Sequence, residues 1–274
     1  MKKISILFVA AAALAAVAVN PDTSGPYTDS HGNVYTTLPQ VSDFATVADF
    51  DAAIGHEIFT TRDGRKFQID RELTPSELAT ALANQVVNRA LQPNPGSFNG
   101  IASVVTVNHP VDEEYRGSFL NIPSLKTHVL AEMATADQAL YANWGIDFVS
   151  QSGQAWDSND SADMGSLLDE AYREHGLRGK DIMVALTADQ TGGGAIGIAY
   201  IGLPRQLTYK YYSLEGEIIQ HESGHNYTLQ HCSDSTCIMY PYLNGNNLGR
   251  FHDYYDSTAG QNHYTVFGNQ KNRY

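Results

Sequence analysis

The sequence predicts an α+β fold built on a mixed sheet, and three observations carry that expectation. Four stretches of strand character recur between residues 101 and 202, rich in β-branched residues or bounded by glycine. Segments of helical period separate the first three of them, and another follows the fourth. The closing stretch, 242–274, is aromatic and polar with little periodicity, which predicts a small irregular C-terminal subdomain.

Taken in order, the chain opens with "MKKISILFVAAAALAAVAV": two lysines, an apolar run, then Ala16-Val17-Ala18 as a small-residue cleavage site. That pattern predicts a signal peptide, residues 1–18, cut near Ala18, and a secreted or periplasmic location. The run is shorter than the ~20 residues that span a bilayer, so no membrane span is expected. In "LTPSELATALANQVVNRALQ", Thr74 as N-cap, Pro75 at the first helical position and Glu77 completing a capping box predict one helix. "PNPGSFNG" (93–100) then reads as a linker and sets a boundary near residue 98. Residues 19–98 are either a propeptide that covers a site until maturation or an extension packed permanently on the next domain, 99–274. They contain no cysteine, so they bring no thiolate to a metal.

Within 99–274, "IASVVTVN" (101–108) is the first strand. "SLKTHVLAEMATADQALYANWG" (124–145) places Leu125, Val129, Met133, Ala136 and Leu140 on one helical face, with Gly145 to end it. "IDFVSQ" (146–151) is a second strand, "SADMGSLLDEAYREHG" (161–176) a second helix and "DIMVALTA" (181–188) a third strand. "GGGAIGIAYIG" (192–202) is a glycine-rich turn leading into a fourth, and "SLEGEIIQHESGHNYTL" (213–229) is a third helix.

The formal charge is −13, and −15 without residues 1–18, which hold two lysines and no acid. Such an acidic surface argues against nucleic acid or anionic membrane as partner. Nothing in the pattern indicates a partner subunit, so a monomer is the default expectation.

The chemistry is concentrated in "IIQHESGHNYTLQHCSDSTCIMYP" (218–241). His221 and His225, four apart on a helix, project from one face and can share a metal ion, with Glu222 between them as general base. His231, ten residues after His221, would lie ~15 Å further along a straight helix. It becomes a third ligand only if the chain leaves the helix and folds back.

H-E-x-x-H-x-x-x-x-x-H followed by Met239 in "CIMYP" resembles the metzincin zinc peptidases. The resemblance implies a zincin-like twisted sheet with a long active-site helix and one zinc per chain on His221, His225 and His231. It further implies Glu222 as base, Met239 in an apolar floor beneath the ligands, and protein or peptide substrates. By the same resemblance, Gly197, Ile198, Ala199 and Tyr200 form the cleft edge along which substrate lies antiparallel, and 241–244 border the pocket after the cut. The His231-to-Met239 interval is similar to that of matrix metalloproteinases. His-Cys-x4-Cys-x-Met is similar to the archaemetzincins, whose cysteines join a later C-x-x-C around a second zinc. No later cysteine exists here, so Cys232 and Cys237 are expected to form a disulfide in an exported chain, the alternative being two free thiols.

Thr228 departs from the metzincin pattern, which has Gly there because the helix ends in a left-handed conformation. A β-branched residue in that conformation costs of order 1–2 kcal/mol, so Thr228 either accepts the strain or the helix turns otherwise. His252 and His263 carry no motif and are expected at the surface. "DSNDSADMGS" (157–166) lacks the Gly and bidentate Glu of a calcium loop and is expected to cap a helix. The expected function is a secreted zinc endopeptidase. The alternative is a secreted binding protein with a vestigial zinc site.

Overall fold

The computed structural model describes residues 25–91, 98–189 and 194–274, with side chains of 86–91 left aside. The expected signal peptide and most of the linker lie outside the described residues. Among the described residues no helix is long and apolar enough to cross a membrane.

The N-terminal part starts with a small antiparallel sheet in the order β2-β1-β3-β4, from β1 (Tyr27–Thr28), β2 (Val34–Tyr35), β3 (Phe59–Thr60) and β4 (Lys66–Phe67). Its strands are only two residues long, and aromatic packing holds them. Tyr27, Phe59 and Phe67 are fully buried, and Phe67 meets Tyr27 edge-on at 5.3 Å and Phe59 face-on at 5.7 Å. Helix α1 (Val47–Ile54) starts where the Thr46 side chain accepts from the Asp49 N–H. After β5 (Asp70–Arg71), α2 (Pro75–Leu91) begins at Thr74, whose N–H donates to Glu77 at 2.8 Å, the reciprocal pairing the sequence predicts.

The larger part contains β6 (Ser103–Val111), α3 (Glu113–Gly117), α4 (Ile122–Trp144), β7 (Ile146–Ala155), α5 (Met164–Glu174), β8 (Ile182–Thr187), β9 (Ala195–Ala199), β10 (Arg205–Tyr209), α6 (Glu215–Asn226) and α7 (His263–Gln270). The predicted strands and helices of 101–229 all form. Gly145 closes α4 with φ 70°, as a left-handed glycine C-cap. Asp163 caps α5 by accepting from the Ser166 N–H, so the acidic stretch before it serves that helix. In this part α3, β10 and α7 were not predicted. Strand β10, "RQLTY", alternates polar with apolar residues only weakly, and α7 sits in the aperiodic tail.

The main sheet runs β5-β9-β10-β8-β6-β7. Strands β7, β6, β8 and β10 are parallel, β9 is antiparallel to β10, and β5 is antiparallel to β9. Alternate residues of β8 serve opposite layers, as strand geometry requires. Ile182, Val184 and Leu186 join α4 and α6 in one core with Met133, Leu140 and Ile219. Met183 and Ala185 join the other, where α5 (Leu167, Leu168) packs against Phe50, Phe59, Phe67 and Ile69 from the N-terminal part. The two parts of the chain therefore share a core. Arg65 strengthens the join, pairing with both oxygens of Asp169 while lying over the Tyr200 ring.

Candidate metal centre

Helix α6 is buried along its whole length, so its polar face has to be satisfied from inside the protein. Gln220 does this structurally, donating to Ala136 O at 2.6 Å and accepting from the Gly249 N–H. His221, Glu222 and His225 occupy the face turned toward β9 and the chain that follows the helix.

The helix stops at Asn226, three residues before the predicted end, and Thr228 takes φ 75°. It thus accepts the left-handed conformation. The Thr228 N–H donates to His225 O, the Leu229 N–H to Gly224 O at 2.9 Å, and Gln261 donates to Thr228 O. These bonds reverse the chain so that His231 returns to the helix. Thr228→Gly is expected to stabilise the protein by about 1 kcal/mol, the strain of ~1–2 kcal/mol less the added flexibility of glycine. Thermal unfolding at fixed zinc measures it, and a lower melting temperature would show the turn to be unstrained.

The three rings meet at their Nε2 atoms, which lie 3.2, 3.1 and 3.2 Å apart for 221–225, 221–231 and 225–231. Each Nδ1 faces a backbone carbonyl: Ile238 O at 2.6 Å for His221, Leu229 O at 2.8 Å for His225, Gly55 O at 2.6 Å for His231. A carbonyl only accepts, so every Nδ1 carries the proton and every Nε2 presents a lone pair. A fourth acceptor completes the cluster. Asp70 Oδ1 stands 3.1 Å from His221 Nε2 and 3.2 Å from His231 Nε2, and all four donor atoms lie within 4.8 Å of one another.

Lone pairs this close repel unless protons or a cation lie among them. Tetrahedral zinc with bonds of ~2.0–2.1 Å has edges of roughly 3.3–3.4 Å, close to these separations. Neutral imidazole with one carboxylate is also an established donor set for zinc. The residues present therefore fit a zinc ion.

With no cation among them, the four groups shift one another's protonation. Burial opposes charge on His221, yet the Asp70 carboxylate raises its pKa. His225 is held well below the usual histidine value by burial and by the other two rings. Burial alone would raise Asp70, but His221 and His231 hold it well below the carboxylate range.

Glu222 is fully buried and neither carboxylate oxygen has a hydrogen-bond partner. Burial, then the charge of Asp70, raises its pKa well above the ordinary value. A Cβ on Gly197 would collide with Glu222 Oε1 and come 2.7 Å from Ile218, so only glycine lets β9 pass this close to that carboxylate. Below the ligands, Met239 is buried and its sulfur fills the space where a Cβ on Gly224 would stand.

A protein-family model, Reprolysin_5 of metallo-peptidase family M12, matches residues 102–266, more than half of the chain. The chain belongs to metallo-peptidase family M12. A search of the curated proteins finds no match. A solved structure entitled "Structure of a chaperone-substrate complex" is similar at 12% identity and a TM-score of 0.49, the match covering 63% of this chain and 34% of that one. This chain thus spans about a third of that protein.

In this M12 chain the structure gathers His221, His225, His231, Glu222 and Met239 in one place. Of the expected edge residues, Gly197 abuts Glu222, whereas Ile198 and Tyr200 turn into the core behind the sheet. Tyr200 follows the last residue of β9, and along the chain the strand before α6 is β10, not β9. Cys232 and Cys237, expected to pair as a disulfide, are free and buried. His252 and His263, expected at the surface, are buried too.

Sequence reasoning missed Asp70, along with Gly55 and Gln68, whose carbonyl and side chain bond His231 Nδ1 and its N–H. They come from the N-terminal part, and only the pairing of β5 with β9, Asp70 opposite Gly197, delivers Asp70.

Proposed function

We propose that this M12 chain is an exported zinc endopeptidase, here in a latent form silenced by its own N-terminal part. The observation that carries the reading is the convergence of three Nε2 lone pairs, the unpartnered Glu222 and a carboxylate from 150 residues upstream. The apolar, lysine-led residues 1–18 support export.

A zinc ion held by His221, His225 and His231 would supply Lewis acidity toward a scissile carbonyl and make water acidic enough to lose a proton near neutral pH. Glu222 takes that proton and returns it to the leaving amine. The backbone of β9 holds an extended substrate by strand pairing. The carbonyls of Ile238 and Leu229 keep His221 and His225 in the ligating tautomer throughout.

In the form described, Asp70 stands where the fourth donor would be and β5 takes the place of substrate along β9. Arg71, the next residue, is buried between Asp51 and Glu77 and lies 4.5 Å from the centre of the Tyr242 ring, one of the residues expected to border the pocket after the cut. That ionic cluster fixes β5 on the edge strand.

The test loads the Asp70→Ala chain with zinc and offers it an unfolded protein. Metal bound at His221, His225 and His231, with cleavage abolished by a chelator and restored by zinc, is the expected result. Metal bound there without cleavage would leave a zinc-binding protein and end the peptidase reading.

A further inference from the structure

A second set of metal-ligating side chains gathers beside the first, sharing none of its residues. Cys232, Cys237, His252 and His263 are all buried, and one donor atom from each lies within 4.8 Å of the others. They come from four places: the residue after His231, the residue two before Met239, the loop after 249, and the first residue of α7.

The geometry points to a second, structural zinc site on Cys232, Cys237, His252 and His263. His252 Nδ1 faces Tyr254 O at 2.9 Å, which fixes the proton there and leaves Nε2 with a lone pair, and that Nε2 is buried with no partner. His263 turns Nδ1 to Cys237 Sγ at 3.3 Å, near the roughly 3.5 Å edge of a tetrahedron on zinc–sulfur and zinc–nitrogen bonds. The His252 backbone N–H also points at the Cys237 sulfur, a contact that suits a thiolate.

Two thiolates and two imidazoles form the donor set of a closed zinc site. The alternative use of two adjacent thiols in an exported chain is a disulfide, which would leave both histidines buried without a ligand. The ion would tie together the segment that carries His231 and Met239, the loop bearing His252 and the start of α7. It has no open position and takes no part in hydrolysis.

The full chain is expected to hold about two zinc ions after gel filtration, one per donor set. Cys232→Ser should lose one and His225→Ala the other. Cobalt substitution separates the sites without using activity. Thiolate-to-cobalt charge transfer in the near ultraviolet can come only from the cysteine site, so it should persist in His225→Ala and vanish in Cys232→Ser. A failure of the peptidase reading leaves that band intact. If Cys232→Ser does not fold, the spectrum of the unaltered chain decides alone. A folded cobalt-loaded chain without the band, or a purified chain lighter by the two hydrogens of a Cys232–Cys237 disulfide, overturns the proposal.

Discussion

Glu222→Gln, placed in the Asp70→Ala chain, is expected to lower kcat/KM for peptide cleavage by ~10²–10⁴-fold, the range of a lost general base. Zinc content should not change, because the three ligating Nε2 atoms owe their tautomers to Ile238, Leu229 and Gly55, not to Glu222. Glutamine keeps the volume, so Gly197 and Ile218 still pack against the side chain. Only the capacity to take and return a proton is removed. Cleavage of a fluorogenic peptide library at saturating zinc measures the effect. A variant retaining more than a tenth of the activity would transfer the base to another group. The natural candidate, Asp70, is already absent from this background.

Asp70→Ala in the full chain is expected to raise cleavage of an unfolded protein by on the order of 10²-fold over the unaltered chain. Removing one partner of a buried charged set costs about 3–5 kcal/mol of that interaction, and each 1.4 kcal/mol is tenfold. Part of the gain is withheld, because β5 still pairs with β9 and Arg71 is still held by Asp51 and Glu77. Asp70→Asn, which keeps an oxygen but loses the charge, should fall between the two. An unaltered full chain as active as Asp70→Ala would show that the N-terminal part does not silence the site. The three histidines and Glu222 would keep their roles.

How far the sequence carries depends on how local the cause is. The facing pair His221–His225 follows from helical period alone, and the caps at Thr74 and Gly145 from residue type at a fixed position. The left-handed turn at Thr228 was legible as a question, because the departure from glycine could be costed although its outcome could not. Asp70 was not legible. It lies on a two-residue strand, and its position depends on a pairing across more than a hundred residues that leaves no periodic trace. Strand β10 escaped because its buried Gln206 and Thr208 face the active-site helix as polar residues, with Gln206 bonding Ser223. The second cluster was hidden by proximity. Cysteines five apart suggest each other, while His252 and His263 sit in a segment without period and reach the thiols only through the fold of the tail.

The core shared by α5, β8 and the aromatic residues of the N-terminal part changes what a single cut in the linker would do. On the latency proposed above, Asp70 before the cut would be a tethered rival of substrate, at an effective concentration in the millimolar range or above. Afterwards it would sit on a separate molecule, held to the larger part where Phe50, Phe59 and Phe67 pack with Leu167 and Leu168 and Arg65 pairs with Asp169. Latency then becomes a dissociation equilibrium. On the proposed latency, activity would appear on dilution and fade on concentration.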